Sequence, residues 1–75
     1  MPFIHIRAYS GRDEEMKRKA AEAIVKAAAD AMDIPATAFS LVYEDINKVD
    51  WENGGSDLVV DPLRDMLLIE HGLPV

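Results

Sequence analysis

The sequence contains no cysteine and only two histidines, which stand near opposite ends of the chain. Neither a disulfide nor a structural zinc site can therefore hold the fold together. We expect one domain over residues 1–75, and a chain this short buries only about 60% of the surface that its unfolded form exposes. Because such a domain is marginally stable alone, we expect identical subunits to associate and supply the missing burial.

Basic residues are scarce, since eight lysines and arginines face 14 aspartates and glutamates, for a formal net charge of -6. This charge repels phosphate groups, so we expect neither a nucleic-acid partner nor an anionic membrane surface. An anionic substrate would require a local basic site. No apolar run reaches the roughly 18 residues of a membrane span, and no signal peptide is recognisable, so a cytoplasmic protein is expected. No residue pattern implies a metal, nucleotide or flavin, and we expect no cofactor.

Three elements are predicted in the first two thirds of the chain. Residues 2–9 are rich in β-branched and aromatic types, which is typical of a strand. Apolar residues at helical spacing predict an amphipathic helix over about residues 13–32, with Asp13 as its N-cap and residues 33–35 as its end. Residues 38–46 alternate as a second strand. A connecting helix of this length favours parallel strands in a β-α-β unit.

The helix is predicted to cover one face of the sheet. Its predicted buried stripe, in which the methionines and alanines belong to the core, is Met16, Ala20, Ala23, Ile24, Ala27, Ala28, Ala31 and Met32. The other sheet face lacks a second layer of helices, so we expect another subunit to cover it. His5 and Arg7 are expected on this less buried face, or at a subunit contact.

The last third of the chain begins with the only tryptophan. Residues 47–55 predict a turn-rich loop or short hairpin around Trp51, because Gly54 and Gly55 readily adopt positive φ. Asp61 as an N-cap and a proline in the first turn predict a short C-terminal helix over about residues 62–70.

Pro2 carries a possible chemical function. If Met1 is removed, the nitrogen of Pro2 becomes a free secondary amine, which can act as a base. An exposed secondary amine is mostly protonated at neutral pH, so a useful base here needs burial or a neighbouring cation to lower its pKa.

Four features of the chain carry a resemblance to a known family: the amino-terminal MPFIHI strand, the SGR turn at residues 10–12, the single long helix and WENGG at residues 51–55. In these features the chain resembles the tautomerase superfamily, in particular the small subunit of 4-oxalocrotonate tautomerase. The resemblance covers about residues 2–55. It implies an α+β fold, a MIF-like β-α-β subunit with parallel strands. It also implies a homo-oligomer, with a hexamer favoured over a dimer, although the longer tail is similar to that of members that stop at a dimer.

The resemblance also implies roles for individual residues. Pro2 corresponds to the base that moves a proton between the oxygen and carbon ends of an enol. Arg12 corresponds to the arginine that binds a substrate carboxylate, whereas Trp51 and Tyr9 correspond to apolar walls of the site. The family's second arginine falls at Ser40, so this chain lacks the guanidinium that polarises the carbonyl in the type enzyme.

These correspondences predict a cofactor-independent isomerase of a small anionic 2-oxo acid. The enolate oxygen then needs another donor, which is the Ser40 hydroxyl, the Tyr9 phenol, Arg7 or ordered water, and each stabilises less than a second guanidinium. We therefore expect slow or narrow tautomerisation. Two alternatives stay open: a catalytically silent oligomeric or ligand-binding module, and hydratase or dehalogenase chemistry directed by the same proline.

Overall fold

A β-α-β unit makes up most of the structure, a computed structural model that describes residues 1–54 and 61–75, excepting the side chains of residues 61 and 62. Strand β1 (Phe3–Tyr9), helix α1 (Glu14–Met32) and strand β2 (Ser40–Ile46) follow in that order. The strands pair in parallel, with Phe3 opposite Ser40 and Tyr9 opposite Ile46. The predicted α+β class and parallel β-α-β arrangement are confirmed. In the described ranges, no helix is long and apolar enough to cross a membrane.

The predicted boundaries of α1 are confirmed by its caps. The backbone N–H of Met16 donates to Oδ1 of Asp13 at 2.8 Å, which satisfies one of the free donors of the first turn. Asp33 adopts the left-handed conformation at φ 55° and ends the helix. A 3-10 turn (Ala36–Ala38) then leads into β2, two residues later than predicted.

Lys17 ties α1 to the face of the sheet that the helix covers. Its Nζ lies 2.7 Å from Oδ2 of Asp45 on β2 and 2.9 Å from Oε1 of Glu14. The same ammonium lies 5.8 Å from the ring centroid of Tyr43. Because side chains alternate along a strand, Tyr43 and Asp45 define the helix-covered face, and their neighbours Ser40, Val42 and Glu44 lie on the other.

The uncovered face of the sheet, called here the open face, carries alternate residues of both strands. They are Phe3, His5, Arg7 and Tyr9 from β1 and Ser40, Val42 and Glu44 from β2, whereas Ile46, next in the alternation, is buried. The predicted placement of His5 and Arg7 on the less buried face is confirmed, since α1 lies against the opposite one.

The predicted core of methionines and alanines is confirmed only in part. Ala20 and Ala28 are half-buried, but Met16, Ile24 and Met32 are 55%, 38% and 54% exposed, and among the described residues only Ala29 and Ile46, at 8% and 4% exposure, are buried. The least exposed side of α1 carries Lys17, Ala20, Ala21, Val25, Ala28 and Ala29, which is shifted from the predicted stripe. The described protomer thus leaves much apolar surface in contact with solvent.

The ion pairs of Lys17 raise its pKa from the ordinary 10.5 to about 12, mainly through the hydrogen bond to Asp45 and next through that to Glu14. Because the folded pKa is the higher one, this contribution to stability is complete below about pH 10.5 and is lost as the pH rises through 12. Lys17 therefore stays charged throughout the neutral range.

Replacing Lys17 with glutamine is expected to lower the thermal unfolding midpoint at pH 7 by a few degrees, because Asp45 loses its cationic partner. Circular dichroism during heating measures the midpoint. Lys19→Gln is the matched control, since Lys19 is exposed and its one ion pair within the described residues is with Glu15, one helical turn away. Equal changes in the two variants would show that Lys17 does not anchor the helix.

The segment around Trp51 differs from the predicted loop or hairpin. Residues Lys48–Glu52 form a short helix, α2, because Oδ1 of Asn47 accepts the backbone N–H of Asp50 at 2.9 Å and caps its first turn. Gly54 follows with φ 84°, which confirms the positive φ predicted for this glycine. Its neighbour Gly55 lies outside the described residues.

The predicted C-terminal α-helix is also wrong. A 3-10 helix (Asp61–Met66) is followed by two short antiparallel strands, β3 (Ile69–Glu70) and β4 (Leu73–Pro74). His71 and Gly72 between them both have positive φ, 51° and 79°, which a two-residue type I′ hairpin requires. The predicted N-cap role of the Asp61 side chain lies outside what the structure describes.

Candidate active site

At the carboxyl end of β1, Tyr9 contacts Arg12 through its backbone oxygen and Trp51 through its ring, and these three residues are called here the anion cluster. The rings of Tyr9 and Trp51 are in edge-to-face contact, with centroids 6.0 Å apart and planes at 83°. Nη1 of Arg12 donates to the backbone oxygen of Tyr9 at 2.9 Å. Three of the predicted site residues are therefore neighbours in one protomer.

Local backbone structure explains why Arg12 and Trp51 both contact Tyr9. The N–H of Ser10 donates to the oxygen of Ile46 at 2.9 Å and extends the strand pairing by one residue. Gly11 then turns the chain at φ 123°, a conformation that other residues rarely adopt, and brings Arg12 back to Tyr9. On the neighbouring strand, Ile46 leads directly into the capped turn of α2 that carries Trp51.

The guanidinium of Arg12 is exposed, and no carboxylate in the described part of the chain bonds to it. Most other cations are engaged in ion pairs, for example Lys19 with Glu15 at 3.2 Å and Arg18 near Glu14 at 3.9 Å, whereas Lys26 has no such pair among the described residues. Arg12 bonds instead to a carbonyl oxygen, which carries no net negative charge to offset the guanidinium. With Tyr9 and Trp51 beside it, Arg12 offers the elements of a site for a carboxylate with an apolar substituent.

Pro2 and Ser40 lie together at the other end of the sheet. The N–H of Ser40 donates to the backbone oxygen of Pro2 at 3.2 Å, Pro2 is half-buried and Met1 is fully exposed. A strand rises about 3.3 Å per residue, so Pro2 and Tyr9 are separated by about 23 Å along β1. Within one protomer, the predicted site residues thus form two separate groups.

The open face between these groups carries a charged cluster that the sequence interpretation missed. Oε1 of Glu44 lies 2.8 Å from Nε2 of His5 and 3.2 Å from Nε of Arg7. The His5 ring also lies edge-on to Phe3, with centroids 6.5 Å apart. Alternation along the strands put His5, Arg7 and Glu44 on one face, but only the parallel register, with Arg7 opposite Glu44, brings them into contact. Within residues 1–54 and 61–75, no three histidine, aspartate or glutamate side chains form a group suited to a metal ion.

The fold and these groups define an α+β subunit with an exposed arginine bonded to the backbone of Tyr9, whose ring contacts Trp51. The family whose model matches residues 2–60 is described as "Tautomerase enzyme", and the chain belongs to this family. No match was found among curated proteins or among solved structures. Membership confirms the resemblance to the tautomerase superfamily and indicates an isomerase-type function. Members of the family are typically oligomeric.

Proposed function

We propose that this protein is a cofactor-independent keto–enol tautomerase that acts on a small 2-oxo acid bearing a carboxylate. The observation that carries the proposal is the guanidinium of Arg12, which bonds to no carboxylate of the described residues and contacts the backbone of Tyr9, whose ring packs against Trp51. Arg12 binds the substrate carboxylate through two parallel hydrogen bonds, and the two rings enclose its apolar part.

Pro2 supplies the base after Met1 has been removed. Met1 is fully exposed, so its removal sacrifices no packing, and it converts the amide nitrogen of Pro2 into a secondary amine. This amine takes a proton from the enol oxygen, and the resulting ammonium delivers a proton to carbon to form the ketone. The Ser40 hydroxyl, held at the same end of the sheet, donates a hydrogen bond to the developing enolate oxygen.

Two protomers build each site, because Pro2 and the anion cluster are about 23 Å apart in one subunit. In the described sheet, β1 pairs with β2 on one side only, which leaves its other edge free. The free edge of β1 pairs antiparallel with the same edge of β1 in a second copy, which gives an interface with two-fold symmetry. This pairing places the Pro2 end of one β1 strand beside the Tyr9 end of the other. The homo-oligomer, whether dimer or hexamer, thereby completes the site.

Co-expression of two impaired variants tests this arrangement. Pro2→Ala and Arg12→Gln chains assembled together are expected to recover about a quarter of the wild-type kcat/KM, because about a quarter of the sites then combine an intact proline from one chain with an intact arginine from the other. The kcat/KM of phenylenolpyruvate ketonisation measures the recovery, and each variant assembled alone is the control. A mixed assembly that stays inactive would show that one protomer supplies both residues.

A further inference from the structure

The geometry points to Glu44 as a specificity-determining residue, which cancels the charge of Arg7 and thereby restricts the site to substrates with a single carboxylate. This inference rests on the proposed function, because it takes the anion cluster as the substrate site. It assigns Glu44 to selection between substrates and not to proton transfer.

Two arginines lie close to Tyr9 along the chain, one before it on β1 and one after the turn that follows it. Arg12 bonds to the Tyr9 carbonyl oxygen at 2.9 Å, and Arg7 precedes Tyr9 by two residues on the open face of the same strand. Residues two apart on one strand face are about 6.6 Å apart, so Arg7 borders the Tyr9 ring within reach of a bound ligand. A dicarboxylate of modest length could bridge two such cations if both were available.

Only one of the two cations is available. The Nε of Arg7 lies 3.2 Å from Oε1 of Glu44, whereas no carboxylate in the described residues bonds to Arg12. The Arg7 side chain is 29% exposed, so solvent screens this pair less than a fully exposed one. With a neutral His5, the three side chains His5, Arg7 and Glu44 sum to zero charge.

His5 holds Glu44 in the position that neutralises Arg7. Its Nε2 lies 2.8 Å from Oε1, the same oxygen that Arg7 contacts, and a carboxylate can only accept, so the ring nitrogen donates. The second carboxylate of a substrate reaching Arg7 would meet the negative charge of Glu44, which repels it. A substrate with one carboxylate on Arg12 and an apolar remainder against Tyr9 and Trp51 meets no such charge.

A matched ligand pair tests this inference without requiring turnover. Cyclohexanecarboxylate and trans-cyclohexane-1,4-dicarboxylate share one ring and differ by one carboxylate, and neither absorbs where tryptophan does. Trp51 is the only tryptophan, so its fluorescence reports binding of each ligand to the anion cluster. In Glu44→Gln, we expect the Kd of the dicarboxylate to fall about fivefold, and that of the monocarboxylate to change less than twofold.

Three further variants separate the role of Arg7 from a general change in charge. Arg7→Gln/Glu44→Gln is expected to lose the gain in dicarboxylate binding. Arg7→Gln alone leaves the charge of Glu44 uncompensated and is expected to raise the Kd of the dicarboxylate more than that of the monocarboxylate. Glu22→Gln removes the same charge from the exposed surface of α1 and is expected to give no selective gain. A gain that persists in the double variant, or equal gains for both ligands in Glu44→Gln, would overturn the inference.

The readout also distinguishes this inference from the proposed function. Selective dicarboxylate binding in Glu44→Gln without any ketonisation by the wild-type protein would support the role of Glu44 at an anion site while rejecting the tautomerase proposal. Ketonisation by the wild-type protein with no shift in the ligand ratio would do the reverse.

Discussion

With Met1 removed, the Pro2→Ala protein is expected to ketonise phenylenolpyruvate with a kcat about 10²–10⁴-fold below that of the wild type, which is the contribution that a positioned acid–base group usually makes. The primary amine of the new terminus lacks the pyrrolidine ring that fixes the direction of the nitrogen at the start of β1. The loss should appear in kcat more than in KM, because the base acts on the proton that moves in the transition state.

Folding has to be separated from chemistry in this experiment. Pro2 is half-buried and contributes a backbone oxygen to the Ser40 N–H, which alanine also supplies, so the circular dichroism spectrum and unfolding midpoint should change little. Pro35→Ala, an exposed proline before the 3-10 turn, is the matched control and should keep the wild-type rate. Intact mass establishes removal of Met1 in every sample.

Equal rates in the wild type and Pro2→Ala would leave the catalytically silent module as the interpretation of the fold. Full activity of a protein that retains Met1 would reject Pro2 as the base, because an amide nitrogen cannot serve as a base. Product analysis by NMR separates tautomerisation from the related chemistries, since addition of water to an unsaturated acid, or release of halide, gives products that differ from the ketone.

Removal of the guanidinium at Arg12 is expected to have the second largest effect. Arg12→Gln should lower kcat/KM about 10–100-fold, mainly through a higher KM, because each hydrogen bond to a charged group is worth about 1.5–3 kcal/mol. Arg12→Lys should recover part of the loss, since an ammonium keeps the charge without the planar pair of donors. Steady-state kinetics with phenylenolpyruvate measures both variants.

Arg18→Gln is the matched control for Arg12. Arg18 is an exposed arginine of α1 that lies 3.9 Å from Glu14, so its removal changes the net charge equally but leaves the anion cluster intact. Comparable losses of kcat/KM in Arg12→Gln and Arg18→Gln would show that only the long-range electrostatic field of the protein affects the rate. The role of Arg12 in binding the substrate carboxylate would then be rejected.

The β-α-β unit was predictable from the sequence because its signals are local. The period-2 and helical patterns, the Asp13 cap and the chain reversal at Asp33 each depend on neighbouring residues, and the structure reproduces them. Candidate residues were also identifiable, since a proline behind Met1 and an arginine after a turn glycine are recognisable without coordinates.

The predictions of a loop around Trp51 and of a C-terminal helix failed because the residue pattern of each segment fits two kinds of secondary structure. Turn-forming types around Trp51 also fit a short helix, and the cap from Asn47 to Asp50 decides for the helix. An apolar stripe ending in glycine also fits a hairpin, and positive φ at both His71 and Gly72 decides for the hairpin. Pattern alone does not distinguish these outcomes, because short segments contain too few periods.

The sequence by itself determined the order of the elements from β1 to β2, the class of the fold and the residue types available for chemistry, since these follow from local propensity and spacing. Only the tertiary structure decided which side of α1 rests on the sheet, the contact of Glu44 with His5 and Arg7, and the separation of Arg12, Tyr9 and Trp51 from Pro2. The contact of Arg7 with Glu44 depends on the parallel register, which joins residues about 37 positions apart in the chain and leaves no local signal.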